Sequence, residues 1–219
     1  MNIAQYIDHT ILKPTTTIGE IEQLCSDALQ YNFKAVCVPP FYVKAARQLL
    51  SGTPVKVATV IGFPFGYEGT ESKLVAIRQA LSDGADELDI VHNLAALKNE
   101  DWDYLAKEIA LCLQPIRLAD KVVKVIIESG ILTETEIVKS CALYAKHKVD
   151  FVKTSTGYAE KGASIEAVKL MRSHLPETIE IKASGGIRTL EALKDYVAAG
   201  ATRIGTSSGV QISKEAKKS

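Results

Sequence analysis

The sequence predicts an α/β chain folded as a single closed (β/α)8 barrel of the TIM type, with residues 1–219 forming one domain. Three observations lead there. Eight short β-branched or apolar runs recur along the chain, at 6–9, 34–38, 55–61, 86–91, 122–128, 150–154, 179–183 and 202–206. Longer segments of helical period separate them, and regular alternation of this kind implies a parallel sheet. No linker, repeat or low-complexity stretch splits the chain, so eight units share one sheet, which favours closure. The rival is an open doubly wound sheet, usually marked by a glycine-rich turn after an early strand. Here Val36-Cys37-Val38 runs into Pro39-Pro40-Phe41, and no GxGxxG or Walker-type sequence occurs.

The intervening segments carry helix signals in order. Ile18, Ile21, Leu24, Cys25 and Ala28 repeat at helical spacing, as do Leu105, Ile109, Cys112, Leu113 and Ile116. Thr17 with Glu20, and Thr133 with Glu136, have the spacing of a capping box. Gly84 and Gly200 fall where a helix ends and the next strand begins.

Composition narrows the class of function. The chain has 219 residues, 47% of them hydrophobic, and 26 basic residues balance 26 acidic ones. That suits a soluble domain with a substantial core and gives no overall attraction to nucleic acid or membrane, so any anion must be held by a local site. No apolar run approaches the roughly 20 residues that span a bilayer, and the start lacks a basic region followed by an apolar one, so a cytoplasmic location is expected. Cys25, Cys37, Cys112 and Cys141 are widely spaced and read as reduced, buried thiols. His9, His92, His147 and His174 form no HExxH or Cys/His cluster, so no metal is expected. Trp102 and the scattered tyrosines read as packing, and the basic stretch 214–219 as a solvated tail.

Two lysines point to amine chemistry. Lys153 lies in Asp-Phe-Val-Lys-Thr-Ser-Thr-Gly (150–157) and Lys182 in Ile-Glu-Ile-Lys-Ala-Ser-Gly-Gly (179–186), each at the end of a buried strand. A lysine there must lose its proton or find a partner. With an ordinary pKa near 10.4, about one amine in a few thousand is free at neutral pH. Lowering that value by about three raises the free amine roughly a thousandfold, for about 4 kcal/mol. A neighbouring ammonium and desolvation are the usual means.

Strand alternation supplies the partners. In 179–183 the isoleucines pack outward, leaving Glu180 and Lys182 inside; in 86–91 Leu88 and Ile90 pack outward, leaving Asp89 inside as an acid/base candidate. Lys124 and Glu128 share one face of Lys-Val-Ile-Ile-Glu and read first as a stabilising pair, with Lys124 kept as a candidate substrate contact. The loops Ser184-Gly185-Gly186-Ile187-Arg188 and Gly205-Thr206-Ser207-Ser208-Gly209 carry little bulk, which lets backbone N–H groups approach an anion. After the last two strands of such a barrel, this is a common phosphate site.

Together these motifs resemble the deoxyribose-phosphate aldolases of the short bacterial type. The resemblance runs in order through Ile7-Asp8-His9-Thr10-Ile11-Leu12-Lys13-Pro14, Ala35-Val36-Cys37-Val38, Val60-Ile61-Gly62-Phe63-Pro64, Glu87-Leu88-Asp89-Ile90-Val91 and Lys124-Val125-Ile126-Ile127-Glu128, then through both lysine motifs to Arg203-Ile204-Gly205-Thr206-Ser207-Ser208. It implies a metal-free, cofactor-free class I aldolase that cleaves 2-deoxy-D-ribose 5-phosphate to D-glyceraldehyde 3-phosphate and acetaldehyde. It further implies Lys153 as the Schiff-base lysine, Lys182 as the group that perturbs it and moves protons, and Asp89 as their partner. Asp8, Thr10 and Cys37 would line the sugar end of the pocket, and Gly157, Gly185, Gly186, Ser207 and Ser208 the phosphate end, with Thr156 a further substrate contact. The only partners implied are the sugar phosphate, acetaldehyde and a second copy in a homodimer, with no interface legible in the residues.

Two positions depart from some members. Tyr158 stands where they have a lysine, removing a cationic phosphate contact, and the sequence closes on Lys217-Lys218-Ser219 where they carry a terminal tyrosine that reaches the site. Two other readings fit the same lysines: a Schiff-base aldolase with another donor, distinguished by which carbonyl forms the adduct, and a non-catalytic sugar-phosphate-binding barrel, distinguished by phosphate binding without a covalent product.

Overall fold

The computed structural model describes residues 2–218. Within them, eight parallel strands close into a barrel in strict sequence order. The strands are β1 (Ile7–Thr10), β2 (Ala35–Val38), β3 (Lys56–Ile61), β4 (Glu87–Val91), β5 (Val122–Ile126), β6 (Phe151–Lys153), β7 (Glu180–Ser184) and β8 (Arg203–Thr206). The helices are α1 (Ile18–Tyr31), α2 (Val43–Leu49), α3 (Thr70–Ser82), α4 (Leu94–Lys98), α5 (Trp102–Leu118), α6 (Glu134–Lys146), α7 (Ile165–His174), α8 (Leu190–Ala198) and α9 (Gly209–Ala216).

Local signals explain the helix ends. Thr17 and Thr133 each accept the N–H of the glutamate three residues on, and that carboxylate accepts the threonine N–H in return. Gly84 and Gly200 take positive φ, 97° and 115°, in the turns that return the chain to β4 and β8.

Alternation along each strand sorts the side chains into two cores. Val36, Val57, Leu88, Ile90, Val123, Val125, Val152, Ile181 and Ile204 point out and pack beneath the helices in one continuous apolar layer. Each such burial contributes about 1.5–3 kcal/mol. Inside the barrel, β2 and β3 supply a small apolar cluster of Cys37, Ala58 and Val60. The remaining interior is built largely of charged residues. Register sets their level: Asp89 lies beside Lys124, Lys153 beside Lys182, and Lys182 beside Arg203 on adjacent strands.

Three expectations are corrected. β5 stops at Ile126, and Glu128 sits beyond it in a left-handed turn (φ 53°), where its carboxylate accepts bonds from the Thr156 N–H and hydroxyl; it does not pair with Lys124. Glu180 shares the inward parity of Lys182 but lies at the strand's entry, exposed, accepting a bond from the Thr202 hydroxyl. The segment 214–216 is not a loose tail but the last turn of α9, while Ser219 lies outside the described residues.

Because Leu88 is fully buried between the two inward carboxylate positions of β4, Leu88→Ala is expected to lower stability in urea by about 2–5 kcal/mol; a loss below about 1 kcal/mol would show that the outer layer does not hold this strand.

Candidate active site

Six charged side chains inside the barrel form a closed ring of alternating sign. Glu87 accepts from Arg203 (2.9 Å), Arg203 donates to Asp8 (2.7 Å), and Asp8 accepts from Lys182 (2.5 Å). Lys182 donates to Asp89 (2.8 Å), Asp89 accepts from Lys124 (2.7 Å), and Lys124 returns to Glu87 (2.6 Å). The ring draws on β1, β4, β5, β7 and β8, so it exists only once the barrel closes. Phe151 lies beneath, its ring centroid 5.2 Å from the Arg203 guanidinium carbon and 5.9 Å from Lys124 Nζ.

Lys153 is the seventh group. Its ammonium nitrogen donates to Asp89 Oδ2 at 2.8 Å, the same oxygen that Lys182 reaches at 2.8 Å, so the two lysine nitrogens share one acceptor. Lys153 alone of these residues forms the floor of an open cleft of about 480 Å³ at the C-terminal end of the barrel. Even so, it is 3% exposed.

The electrostatics separate the two amines. Burial pushes Lys153 below the ordinary 10.5; Asp89 opposes this and the Lys182 charge adds to it. Burial works on Lys182 in the same sense, but Asp8 and Asp89 overcome it and hold Lys182 charged beyond the ordinary lysine range. Asp89 is driven well below the usual carboxylate range, since Lys124, Lys153 and Lys182 outweigh its burial. Asp8 is lowered likewise, with Arg203, Lys182 and Lys124 against its burial. For both aspartates the sign is that of a depressed carboxyl: the stability they confer is complete above about pH 4 and lost as pH falls through their folded values. The Cys37 thiol, in the small apolar cluster nearby, is raised by burial and stays protonated.

The cleft walls combine the ends of four strands and the loops after them. Thr10 ends β1, and Ile11 and Leu12 follow it; Thr156, Gly157 and Tyr158 follow β6; Ser184 ends β7, and Gly185, Gly186 and Arg188 follow it. Gly157, Gly185 and Gly186 take φ of 88°, 96° and 85°, which a side chain tolerates poorly. Gly205, Thr206 and Ser207 complete the wall. Tyr158 spans the mouth: its hydroxyl donates to the Leu12 carbonyl at 2.7 Å and its ring meets Phe63 edge-on at 5.3 Å.

Of the residues singled out from sequence, Lys153, Thr10, Thr156, Gly157, Gly185, Gly186 and Ser207 line the cleft, whereas Lys182, Asp89, Asp8, Cys37 and Lys124 lie buried beneath it. Ser208 is not among the residues that line the cleft and lies beside Gln211 and Lys214 of α9. Sequence reasoning missed Glu87 and Arg203 as ring members, Arg188 as a cation on the wall, and Tyr158, which it took for packing. Glu87 and Arg203 have the same strand parity as Asp89 and Gly205, so alternation was the available signal. Among the described residues no group of three or more His, Cys, Asp or Glu is placed to hold a metal ion, and no helix is long and apolar enough to cross a membrane.

Gly205 is needed for packing. A Cβ there would stand 3.0 Å from Ser184 Cβ and 3.1 Å from Lys182 Cε. Gly205→Ala is therefore expected to displace Lys182, costing about 1–3 kcal/mol of stability and lowering kcat about tenfold or more, as seen by steady-state kinetics; an unchanged kcat would show that Lys182 tolerates displacement.

Known proteins share this arrangement of sequence and fold. The chain matches the DeoC/LacD family aldolase model over residues 2–215. It is 51% identical over 214 residues to the deoxyribose-phosphate aldolase of Thermococcus gammatolerans, covering 97% of this chain and 95% of the relative. To the deoxyribose-phosphate aldolase of Caldanaerobacter subterraneus subsp. tengcongensis it is 46% identical over 219 residues, covering 100% and 95%. A solved structure described as a unique tetrameric deoxyribose phosphate aldolase from Aeropyrum pernix superposes with a TM-score of 0.92 at 33% identity, covering 98% of this chain and 91% of that one. The chain belongs to the DeoC/LacD family of aldolases.

Proposed function

We propose that the chain reversibly cleaves 2-deoxy-D-ribose 5-phosphate to D-glyceraldehyde 3-phosphate and acetaldehyde through an imine on Lys153. One observation carries the reading: a lysine lowered by burial sits on the cleft floor and shares a carboxylate oxygen with a second lysine that stays charged. The deoxyribose-phosphate aldolase relatives support the choice of substrate.

The Lys153 amine adds to the substrate aldehyde at C1, and loss of water gives a protonated imine. Lys182, an ammonium donor hydrogen-bonded to Asp89, supplies the proton that lets hydroxide leave as water. A base then removes the proton of the C3 hydroxyl, the C2–C3 bond breaks, and its electron pair moves into the imine to form an enamine. C3 departs as the aldehyde carbon of D-glyceraldehyde 3-phosphate. The enamine takes a proton at C2, and one water hydrolyses the resulting imine, freeing acetaldehyde and the amine. The iminium is the electron sink that an aldehyde alone is not. Asp89 and water relay protons between these steps, a role worth typically 10²–10⁴ in rate. The substrate phosphate takes the glycine-rich wall, where Arg188 supplies positive charge in place of the lysine absent at Tyr158. Thr10 and Thr156 offer hydroxyls to the sugar. The resemblance implies a homodimer, whereas the Aeropyrum relative is described as a tetramer. A cytoplasmic setting suits this small, charged substrate.

Borohydride with acetaldehyde is expected to leave an ethyl group on Lys153, located by peptide mass spectrometry, and Lys153→Ala to abolish both adduct and turnover. An adduct on Lys182 would reverse the two roles, and one formed with pyruvate or dihydroxyacetone in place of acetaldehyde would change the donor.

The pH profile has a defined sign. Free Lys153 amine increases as pH rises through its lowered value, while Lys182 keeps its proton throughout. The acid limb of kcat/KM is therefore expected to have its midpoint below the ordinary lysine value of 10.5, and activity that rose only above that value would contradict the assignment.

A further inference from the structure

The ring contains three carboxylates, Asp8, Glu87 and Asp89, and three cations, Lys124, Lys182 and Arg203, so its charges cancel without Lys153. Protonating Lys153, 3% exposed at the floor of the cleft, adds a seventh charge that no member of the ring balances. We propose that Glu87 and Arg203, at the closed end of the barrel, are positioning residues of the reaction: through the ring their opposed charges set how readily the Lys153 amine gives up its proton, Arg203 favouring the free nucleophile and Glu87 opposing it. The inference deepens the aldolase reading and rests on Lys153 being the reacting amine.

The geometry places neither residue in reach of substrate. Arg203 is 5% and Glu87 3% exposed, and neither lines the cleft. Arg203 hydrogen-bonds both Asp8 and Glu87, and Lys124 bridges Glu87 to Asp89 and lies 3.8 Å from Asp8. Every path from Glu87 or Arg203 to Lys153 ends in the Asp89 oxygen that Lys153 shares with Lys182. The other charged or titratable groups facing Lys153 are the Cys37 thiol on β2, which stays neutral, and Glu128 in the turn after β5. Burial raises the Glu128 carboxyl, and Thr156 holds it from the other side. Neither group belongs to the ring, and both are left in place in the variants below, so the effect of each variant comes from the ring alone. The direction found for Lys153, lowered by burial and by Lys182 against Asp89, agrees with this balance.

The consequence is a pair of opposite effects that a scaffolding role alone does not produce. Removing the negative charge in Glu87→Gln leaves the ring one charge positive and disfavours protonation of Lys153. Removing the positive charge in Arg203→Met leaves it one charge negative and favours protonation. The double variant Glu87→Gln/Arg203→Met is neutral again.

Competitive acetylation of the folded protein, followed at Lys153 by mass spectrometry across pH, reads the free-amine fraction without any aldehyde. The acetylation midpoint is expected to fall by about one pH unit in Glu87→Gln and to rise by about one in Arg203→Met, the size set by a unit charge a few hydrogen bonds away at an effective dielectric near 20. In the double variant it should return to the parent value. Shifts of the same sign, or midpoints that do not move, overturn the proposal. Should Arg203→Met fail to fold, Arg203→Lys takes its place: it keeps the charge and should keep the midpoint, and a shift of one unit or more would count against the ring. Because acetylation needs no acetaldehyde, a failed ethyl adduct on Lys153 would sink the aldolase reading while leaving this readout intact.

Discussion

The interaction on which the rest depends is the Asp89 oxygen shared by Lys153 and Lys182. Two amines share one acceptor, one wholly buried and the other at the floor of the cleft, and their surroundings set them apart. The one hydrogen-bonded to a second carboxylate, Asp8, is held charged; the one that opens onto the cleft hydrogen-bonds Asp89 alone, and burial pushes it toward the free amine. The proposed nucleophile and the proposed proton donor are thus two neighbouring residues of the same type, set apart by their surroundings. The difference lies in how many carboxylates each one meets.

Such an arrangement is costly, and the fold shows how the cost is met. Breaking a buried ion pair typically loses 3–5 kcal/mol, because the remaining partner is stranded. Here each ring member has two oppositely charged neighbours, so no charge within the ring is stranded. The outer apolar layer, from Val36 round to Ile204, provides the favourable burial that offsets the charged interior. Strand register then sets the ring's geometry, bringing Asp89 level with Lys124 and Lys182 level with Arg203. Gly205 keeps open the space through which Lys182 crosses toward Asp8 and Asp89. Stability and reactivity are therefore set by the same contacts.

Much of this was legible in the sequence, for a physical reason. Period-two alternation with outward Leu88, Ile90 and Ile181 leaves Asp89 and Lys182 only the interior, and loops of glycine and serine mark the open end. The same rule was available for Glu87 and Arg203, each one step from an outward-packing Leu88 or Ile204, but charged residues at strand entries ordinarily meet solvent. Glu180 shows that ordinary outcome. Glu128 was misread because the apolar pattern runs through Ile126 and on to Ile127, one residue beyond β5, and only the left-handed turn at Glu128 redirects the chain. The need for glycine at 205 depends on the positions of Ser184 and Lys182, which are remote in sequence. A second buried pair, Lys73 with Glu108 at 2.9 Å between α3 and α5, was likewise invisible: on a helix a lone lysine reads as surface.

The central claim concerns which of two neighbouring amines holds its proton, and a direct titration tests it. In protein labelled with nitrogen-15 at lysine, the side-chain resonances of Lys153 and Lys182 can be followed by NMR as pH is raised. The account predicts that Lys153 deprotonates with a midpoint below 10.5 while Lys182 stays charged beyond it. Deprotonation of Lys182 before Lys153, or of Lys153 only at or above its ordinary value, would contradict it.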